Sequence, residues 1–177
     1  MLKKVLNILF YIVTTFLMVV VILELVAPSK TIDLIGFKGY SVATPSMEPI
    51  IKVGDIIIVT KANLDELKAE DIISFYADLN GDGVDEVITH AIREIVYEDE
   101  VRLFRTYGVN NTSDDLYHTT DDDIVGQYLF RIPLIGYVVL FLNIMFRNPI
   151  LLGLVILNIA IIVVLIKYIK KKPEVSS

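Results

Sequence analysis

The chain has 177 residues, a formal net charge of −6 and a mean hydropathy of +0.62, which is high for a soluble protein. It contains no cysteine, so the fold uses neither a disulfide nor thiolate chemistry. Basic residues are concentrated at the two ends, and the acidic middle would repel a phosphate backbone, which excludes nucleic-acid binding.

Two uncharged apolar stretches, residues 5–23 and 149–166, are each about long enough to cross a bilayer core as a helix. The first is too long for a cleaved signal peptide, and residues 25–27 offer only one small residue for cleavage, so we expect an uncleaved anchor. Lysines precede the first stretch and follow the second. Because basic residues favour the cytoplasmic side, we predict two spans in the cell membrane, both termini in the cytoplasm and residues 28–148 outside. These lysines are Lys3, Lys4, Lys167, Lys170, Lys171 and Lys172.

The first part of the extracytoplasmic region alternates between connecting segments and short strands. Residues 28–38 are predicted to be a polar linker, and residues 40–43 a short strand. Residues 56–59 are continuously apolar and β-branched, which predicts a strand buried on both faces. Residues 72–76 are predicted to form the next strand.

Ser46 lies between Pro45 and Pro49 in the segment that leads to the strand at residues 56–59. Each proline ring fixes its own φ and pushes the preceding residue towards extended geometry. A stiff, exposed serine at the edge of an apolar surface suits a nucleophile that acts on an apolar partner. The alternative is an ordinary turn, since proline, serine and glycine are its usual residues.

Residues 78–86 place oxygen-bearing side chains and a glycine as in the first half of an EF-hand calcium loop. The match then fails, because Thr89 stands where the loop requires a glutamate, and predicted strands flank the segment. Calcium bound at Asp78–Asp82 would stiffen a hairpin. The alternative is a hairpin tip without a metal, for which Asp, Asn and Gly are typical.

Residues 87–97 are predicted to form a long strand in which His90 lies in an apolar row. Such a histidine is usually a core residue, but a serine nucleophile needs a base, and the chain has only two histidines. The other, His118, lies in a polar loop and is expected to be solvated. Alternation assigns Val87, Thr89, Ala91, Arg93 and Ile95 to one face, and Ile88, His90, Ile92, Glu94 and Val96 to the other.

The remaining pattern completes an antiparallel arrangement. Residues 98–100 predict a hairpin turn, 101–107 a returning strand, and 108–115 a polar loop whose acids are ordinarily solvated. Residues 128–132 predict a further strand. Residues 138–148 are mostly apolar and are expected to lie in the membrane interface or to cover the sheet.

Four motifs in order across residues 40–137 together resemble the conserved boxes of type I signal peptidases. They are Ser46-Met47-Glu48-Pro49 with Gly54-Asp55, Thr89-His90-Ala91-Ile92, the stretch from Gly108 to Asp115, and Ile124-Val125-Gly126 with Arg131-Ile132-Pro133 and Gly136. The resemblance implies a mostly β fold in which an antiparallel β catalytic domain is flanked by an N-terminal and a C-terminal transmembrane helix. The expected divisions are a tail and anchor at 1–27, a peptidase domain at 28–137, an interfacial segment at 138–148, and a helix with a basic tail at 149–177.

The base position identifies the subclass. Usual bacterial members carry lysine there, whereas His90 resembles the endoplasmic-reticulum-type enzymes, which also occur in archaea and Gram-positive bacteria. The resemblance implies Ser46 as nucleophile, His90 as general base and Asp115 as the acid that orients the imidazole, with Asp114 as the alternative acid. It also implies that the hydroxyl of Thr44 contributes to the oxyanion hole beside the amide of Ser46.

The chain departs from the family at Val109, where an aspartate commonly follows the glycine of the third box. The resemblance implies a membrane-bound serine endopeptidase without a cofactor, which cleaves signal peptides from exported precursors at the outer membrane–water interface through an acyl-enzyme. Its partners would be these precursors and the lipid bilayer, and the sequence names no accessory subunit. One alternative is a weak or inactive membrane-tethered binding module that calcium at Asp78–Asp82 would stabilise, which Val109 favours. Another is a peptidase of the same fold that is dedicated to itself or to one surface protein.

Overall fold

The computed structural model describes residues 2–171 and contains two compact units, which meet in sequence at Gly136 and Tyr137. The predicted basic tail from Lys172 onward lies outside the described residues. The first unit begins with helix α1 (Leu2–Val26), a 3-10 turn (Pro28–Lys30) and a short helix α2 (Thr31–Ile35). Its strands are β1 (Phe37–Ser41), β2 (Ile56–Thr60), β3 (Ile72–Ala77), β4 (Glu86–Glu98), β5 (Val101–Tyr107), β6 (Thr119–Thr120) and β7 (Ile124–Ile132), with a second 3-10 turn at Asp121–Asp123.

The seven strands form one antiparallel sheet in the order β1-β2-β7-β3-β4-β5-β6. The last strand in sequence, β7, therefore lies near the middle of the sheet and joins the β1–β2 pair to the β3–β4–β5 meander. The segment 42–55, which contains Ser46, connects β1 to β2, whereas His90 lies on β4.

Two hydrophobic clusters hold the sheet. The larger consists of Leu67, Ile73, Phe75, Ile88, Ile92 and Phe104. The smaller joins Met47 and Ile51 of the serine segment to Ile57 on β2 and Ala91 on β4. Fully burying each large aliphatic side chain contributes about 1.5–3 kcal/mol, so this smaller cluster draws the serine segment towards β4 although β2 and β4 are not adjacent.

The prediction of a mostly β chain holds only in part. The sheet is antiparallel as expected, but 28% of the chain is strand and 40% is helix because of the long terminal helices. The expected polar linker at residues 28–38 is wrong: it contains a 3-10 turn, helix α2 and the start of β1, and it buries Thr31 and Ile32. Apolar contacts, which a count of polar residues does not detect, order this segment.

Two strands differ from their predicted burial. In β2, only Ile57 and Val59 are buried, so the strand covers the core with one face rather than two. In β4, a bulge between Ile92 and Glu94 shifts the alternation, so that Ile95 packs against the larger cluster with Ile92 instead of lying on the opposite face. The predicted hairpin turn after β4 is confirmed, since Asp99 and Glu100 have φ values of 48° and 67°, as in a two-residue type I′ turn.

The end of α1 is tied to the start of the sheet through Glu24. Its two carboxylate oxygens accept from Lys38 Nζ at 2.8 Å and from Thr31 Oγ1 at 3.0 Å. Lys38 is 9% exposed and also donates to the carbonyl of Pro28 at 2.9 Å. This pair, in which Lys38 is buried and Glu24 is 43% exposed, fixes where the first strand starts relative to the last turn of α1.

The second unit contains helix α3 (Gly136–Arg147) apart from its first residue, and helix α4 (Pro149–Lys171). Asn148 separates them and caps α4, because its side-chain oxygen accepts the N–H groups of Ile150 and Leu151 at 3.1 and 3.2 Å. Pro149 follows at the first helical position, where the missing N–H costs nothing. Within the described residues, the two helices long and apolar enough to cross a membrane span Lys3–Val26 and Pro149–Ile169, and both were predicted.

Candidate active site

The serine segment is closed at its base by two backbone hydrogen bonds. The N–H of Val42 donates to the carbonyl of Asp55, and the N–H of Gly54 donates to the carbonyl of Val42, both at 2.9 Å. Further along, the N–H of Asn110 donates to the carbonyl of Ser46 at 2.8 Å, and the Asn110 side chain donates to the carbonyl of Pro45 at 3.2 Å. The loop after β5 thus holds the backbone that carries the serine.

Asp55, the last residue of the serine segment, anchors this segment to β7. Its carboxylate is 2% exposed and accepts from Lys52 N–H at 2.9 Å and from the Arg131 guanidinium on β7 at 2.6 Å. Burial alone would raise the pKa of Asp55, but the hydrogen bonds from Lys52 and Arg131 outweigh it and hold the pKa below its ordinary value. A fixed negative charge therefore ties the segment to the middle of the sheet.

Gly108 allows the loop after β5 to approach the serine segment. A Cβ at this position would lie 2.8 Å from the carbonyl oxygen of Ser46 and 2.6 Å from the side-chain nitrogen of Asn111. Both distances are too short for a side chain, so the glycine is required for close approach rather than for an unusual φ. Gly108, the first residue of the third motif, is therefore needed because no side chain fits at this position.

Ser46, His90 and Asp115 lie in one hydrogen-bonded line. His90 Nε2 is 3.0 Å from Ser46 Oγ, and His90 Nδ1 is 2.6 Å from Asp115 Oδ2. The side chains of His90 and Asp115 are each 7% exposed. These separations are within hydrogen-bond reach, and the order of hydroxyl, imidazole and carboxylate is the order that nucleophilic catalysis by serine requires.

The two neighbouring acids of the loop face different partners. Asp114 Oδ1 accepts from Arg93 Nε and Nη2 at 3.1 and 3.0 Å, and this guanidinium lies over the ring of Tyr107 at 3.6 Å. Asp114 is thereby held away from the imidazole, whereas Asp115 contacts it. His118, the second histidine, is exposed in the loop as expected.

Thr44 lies beside the hydroxyl of Ser46, with 3.4 Å between the two oxygens. A cleft of about 770 Å³ opens over this region and includes both the serine and the imidazole. Apolar side chains cover part of its wall: Val42, Met47, Ile51, Ile57, Val87 and Ile88. An extended chain with small or apolar side chains would fit against such a surface.

The acidic loop at residues 78–86 is shaped by hydrogen bonds to Asp78. Asp78 accepts the N–H groups of Gly81, Asp82 and Gly83 at 2.8, 3.2 and 2.8 Å, so both its oxygens are directed at its own backbone. Within residues 2–171, no group of three or more His, Asp or Glu side chains is placed to hold a metal ion. The hydrogen bonds to Asp78 show how the loop holds its own backbone in a hairpin tip.

No family model matches the chain. It is 30% identical over 135 residues to "Signal peptidase I W" of Bacillus subtilis (strain 168), a match that covers 74% of this chain and 68% of that protein. The chain belongs to the type I signal peptidase family. The present chain is also 32% identical over 126 residues to "Signal peptidase complex catalytic subunit SEC11" of Metarhizium acridum (strain CQMa 102). This match covers 60% of the chain and 71% of the relative.

The chain is therefore a membrane-associated serine endopeptidase of the endoplasmic-reticulum-type subclass, as the motifs indicated. Val109, where the family commonly has an aspartate, packs against the cluster that contains Met47 and Ile51. In this signal peptidase the position thus contributes an apolar contact beneath the serine segment. Asp115 contacts His90 although position 109 carries no acid.

The roles of several residues at the site of this signal peptidase were not assigned from the sequence. Asp55 was named only as part of the first motif, but its position at the edge of the apolar run at residues 56–59 is a usable signal, because a charge there requires a partner. Arg131 is that partner, and its identity depends on the sheet order. Thr106 also contacts Asp115 at 2.7 Å, and nothing in the pattern of residues 101–107 distinguishes it.

Proposed function

We propose that this peptidase removes N-terminal signal peptides from exported proteins through an acyl-enzyme on Ser46. The observation that carries the proposal is the line of hydrogen bonds from Ser46 through His90 to Asp115, at 3.0 and 2.6 Å. The names of the two relatives support the substrate class, since both are signal peptidases. The apolar wall of the cleft also suits the end of a lipid-embedded signal sequence.

Acylation begins when His90 Nε2 takes the proton of Ser46 as its Oγ attacks the carbonyl carbon of the scissile peptide bond. The resulting oxyanion accepts hydrogen bonds from the Ser46 N–H and the Thr44 hydroxyl, and such donors are each worth about 2.7–4 kcal/mol in the transition state. His90 then gives its proton to the leaving nitrogen. The C–N bond breaks, the mature protein departs with a new amino terminus, and the signal peptide stays on Ser46 as an ester.

Deacylation repeats the proton transfers with water. His90 Nε2 accepts a proton from a water molecule, whose oxygen attacks the ester carbonyl, and the proton then returns to Ser46 Oγ as the C–O bond breaks. The signal peptide leaves as a carboxylic acid. Asp115 stabilises the imidazolium in both stages and keeps the neutral ring protonated at Nδ1.

The proposed setting is the outer membrane–water interface. Helices α1 and α4 would each span the bilayer, with both termini in the cytoplasm because lysines flank them. The peptidase domain would comprise residues 28–137, and the apolar residues 138–148 would lie in the interface. The Glu24–Lys38 pair supports this arrangement, since it joins the outer end of α1 directly to the first strand.

The test is cleavage of a signal-peptide-bearing precursor by the full chain in detergent, with Ser46→Ala and His90→Ala beside it. We expect the parent to release the mature protein and each variant to lose activity by about 10⁶-fold, as when one member of a catalytic triad is removed. His118→Ala is the matched control, because this exposed histidine lies outside the line of hydrogen bonds. Cleavage by Ser46→Ala at the parent rate would reject the acyl-enzyme.

A further inference from the structure

Thr106 on β5 holds Asp115 through both its main chain and its side chain. The N–H of Asp115 donates to the carbonyl of Thr106 at 2.9 Å, and Thr106 Oγ1 donates to Asp115 Oδ2 at 2.7 Å. Thr106 is fully buried. Its hydroxyl therefore contacts the same carboxylate oxygen that His90 Nδ1 approaches at 2.6 Å.

Asp115 needs such a contact because it lies in the irregular loop between β5 and β6. A carboxylate on a loop turns freely about its side-chain bonds unless hydrogen bonds fix it, and a buried carboxylate is stable only with donors. The groups that face it are the imidazole of His90 from β4, the hydroxyl of Thr106 from β5, and Tyr117 from its own loop. Burial and the nearby Asp115 carboxylate raise the pKa of Tyr117, which keeps this phenol neutral.

We infer that Thr106 is a positioning residue, whose hydroxyl holds Asp115 Oδ2 in line with His90 Nδ1. With the oxygen fixed there, the neutral imidazole keeps its proton on Nδ1 and presents a lone pair at Nε2 to Ser46. Thr106 is fully buried, and its side-chain hydrogen bond goes to Asp115, so we expect it to act through Asp115. The inference rests on the proposed roles of Ser46, His90 and Asp115.

Three substitutions isolate the hydroxyl. Thr106→Val removes it with little change of shape, whereas Thr106→Ser keeps it. Thr119→Val is the matched control, because Thr119 is 2% exposed and its hydroxyl has no hydrogen-bond partner among residues 2–171. If Thr106→Val lowers the Tm so far that it cannot be studied, Thr106→Ala compared with Thr106→Ser gives the same test.

The first readout is the ¹⁵N NMR signal of the imidazoles in the full chain in detergent, at alkaline pH where histidine is neutral. The chain has only two histidines, so exposed His118 serves as an internal reference. We expect His90 in the parent, Thr106→Ser and Thr119→Val to carry its proton on Nδ1. In Thr106→Val we expect a mixture with the Nε2–H form, which a role in packing alone would not produce.

The second readout is kcat for precursor cleavage, which we expect Thr106→Val to lower by roughly ten- to hundredfold with little change in KM. Thr106→Ser and Thr119→Val should stay near the parent. An unchanged His90 proton position in Thr106→Val overturns the inference, as does an equal change in Thr119→Val. If the parent cleaves no precursor but the NMR change appears, the proposed function fails while the role of Thr106 stands.

Discussion

Two strand connections in this peptidase each contain an aspartate that accepts backbone hydrogen bonds, but they have different structural roles. Residues 42–55 and residues 78–86 both contain Asp and Gly and both join antiparallel strands. In the first, the Asp55 carboxylate bonds to Arg131, which lies 76 positions away. In the second, the hydrogen bonds that Asp78 accepts come from residues at most five positions away in the part of the chain that the structure describes.

This difference shows what makes a turn part of a functional site. Local hydrogen bonds are enough to shape the tip at residues 78–86, so a substitution there should disturb the rest of the sheet little. The serine segment is instead bound by groups from β7 and from the loop after β5. The hydroxyl of Ser46 therefore keeps one position relative to His90, as the proposed catalysis requires. Substitutions of the same type in the two segments should have unequal effects.

The largest difference is expected between Gly108→Ala and Gly83→Ala. A Cβ on Gly108 would displace the Ser46 backbone, and a shift of about 1 Å at a catalytic group costs about hundredfold in rate. Gly83 has open space around its Cβ position but a φ of +79°, so alanine there should cost about 1 kcal/mol of stability without loss of activity. Cleavage rates and Tm values of both variants check this, and equal rates would contradict the role of Gly108.

The next difference concerns the two carboxylates. Asp55→Ala leaves the half-buried Arg131 and the N–H of Lys52 without their shared acceptor, and losing hydrogen bonds to a charged group costs about 1.5–3 kcal/mol. Asp78→Ala breaks only exposed hydrogen bonds and should lower the free energy of unfolding much less. Chemical unfolding of both variants in detergent measures the two losses. Similar losses would mean that the serine segment is not anchored through Asp55.

A smaller effect should appear in the pH dependence of stability. The folded pKa of Asp55 lies below its unfolded value of about 3.9, so the unfolded state binds more protons between the two values. The stability that Asp55 contributes is therefore present above about pH 4 and is lost as the pH falls through the folded pKa. Tm measured against pH should fall less steeply in Asp55→Asn than in the parent.

Asp78 provides the comparison for the dependence of Tm on pH. Hydrogen bonds, of which the one from Gly83 N–H is the largest, also hold the pKa of Asp78 below its ordinary value, so its contribution has the same sign. Because this carboxylate is exposed, solvent reduces the effect, and Asp78→Asn should change the slope less than Asp55→Asn. If Asp78→Asn changed the slope more than Asp55→Asn, the larger contribution of Asp55 to stability at neutral pH would be contradicted.

The smallest expected effect is that of calcium. With Asp78 bonded to its own loop, adding calcium or a chelator should leave the Tm of the parent unchanged. Asp78→Asn and Asp82→Asn serve as controls under both conditions. A rise in Tm with calcium that these variants abolish would restore the calcium-binding alternative for residues 78–86.

The sequence was sufficient to predict the elements whose pattern is local. Apolar length identified α1 and α4, alternation identified β4, and residues 98–100 marked the hairpin turn. The order and spacing of motifs identified the family and proposed Ser46, His90 and Asp115. Each of these inferences depends on residues that are close in sequence or on a pattern shared with known enzymes.

The features that were missed depend on contacts between distant residues. The order of helix and strand at residues 28–38 follows from the burial of Thr31 and Ile32 and from the Glu24–Lys38 pair. The bulge after Ile92 is set by pairing with β5, and the contact of Thr106 with Asp115 by the path of the loop. No periodicity in the chain encodes these pairings, so they appear only once the sheet is formed.

The measurement that tests the central claim most directly compares Ser46→Ala and His90→Ala with the double variant in precursor cleavage. If the two side chains act as one unit, each single variant should be as slow as the double variant, because removing either disables the other. The account predicts this equality, with His118→Ala at the parent rate. A double variant in which the two single losses multiply would show that Ser46 and His90 act independently, and would contradict the account.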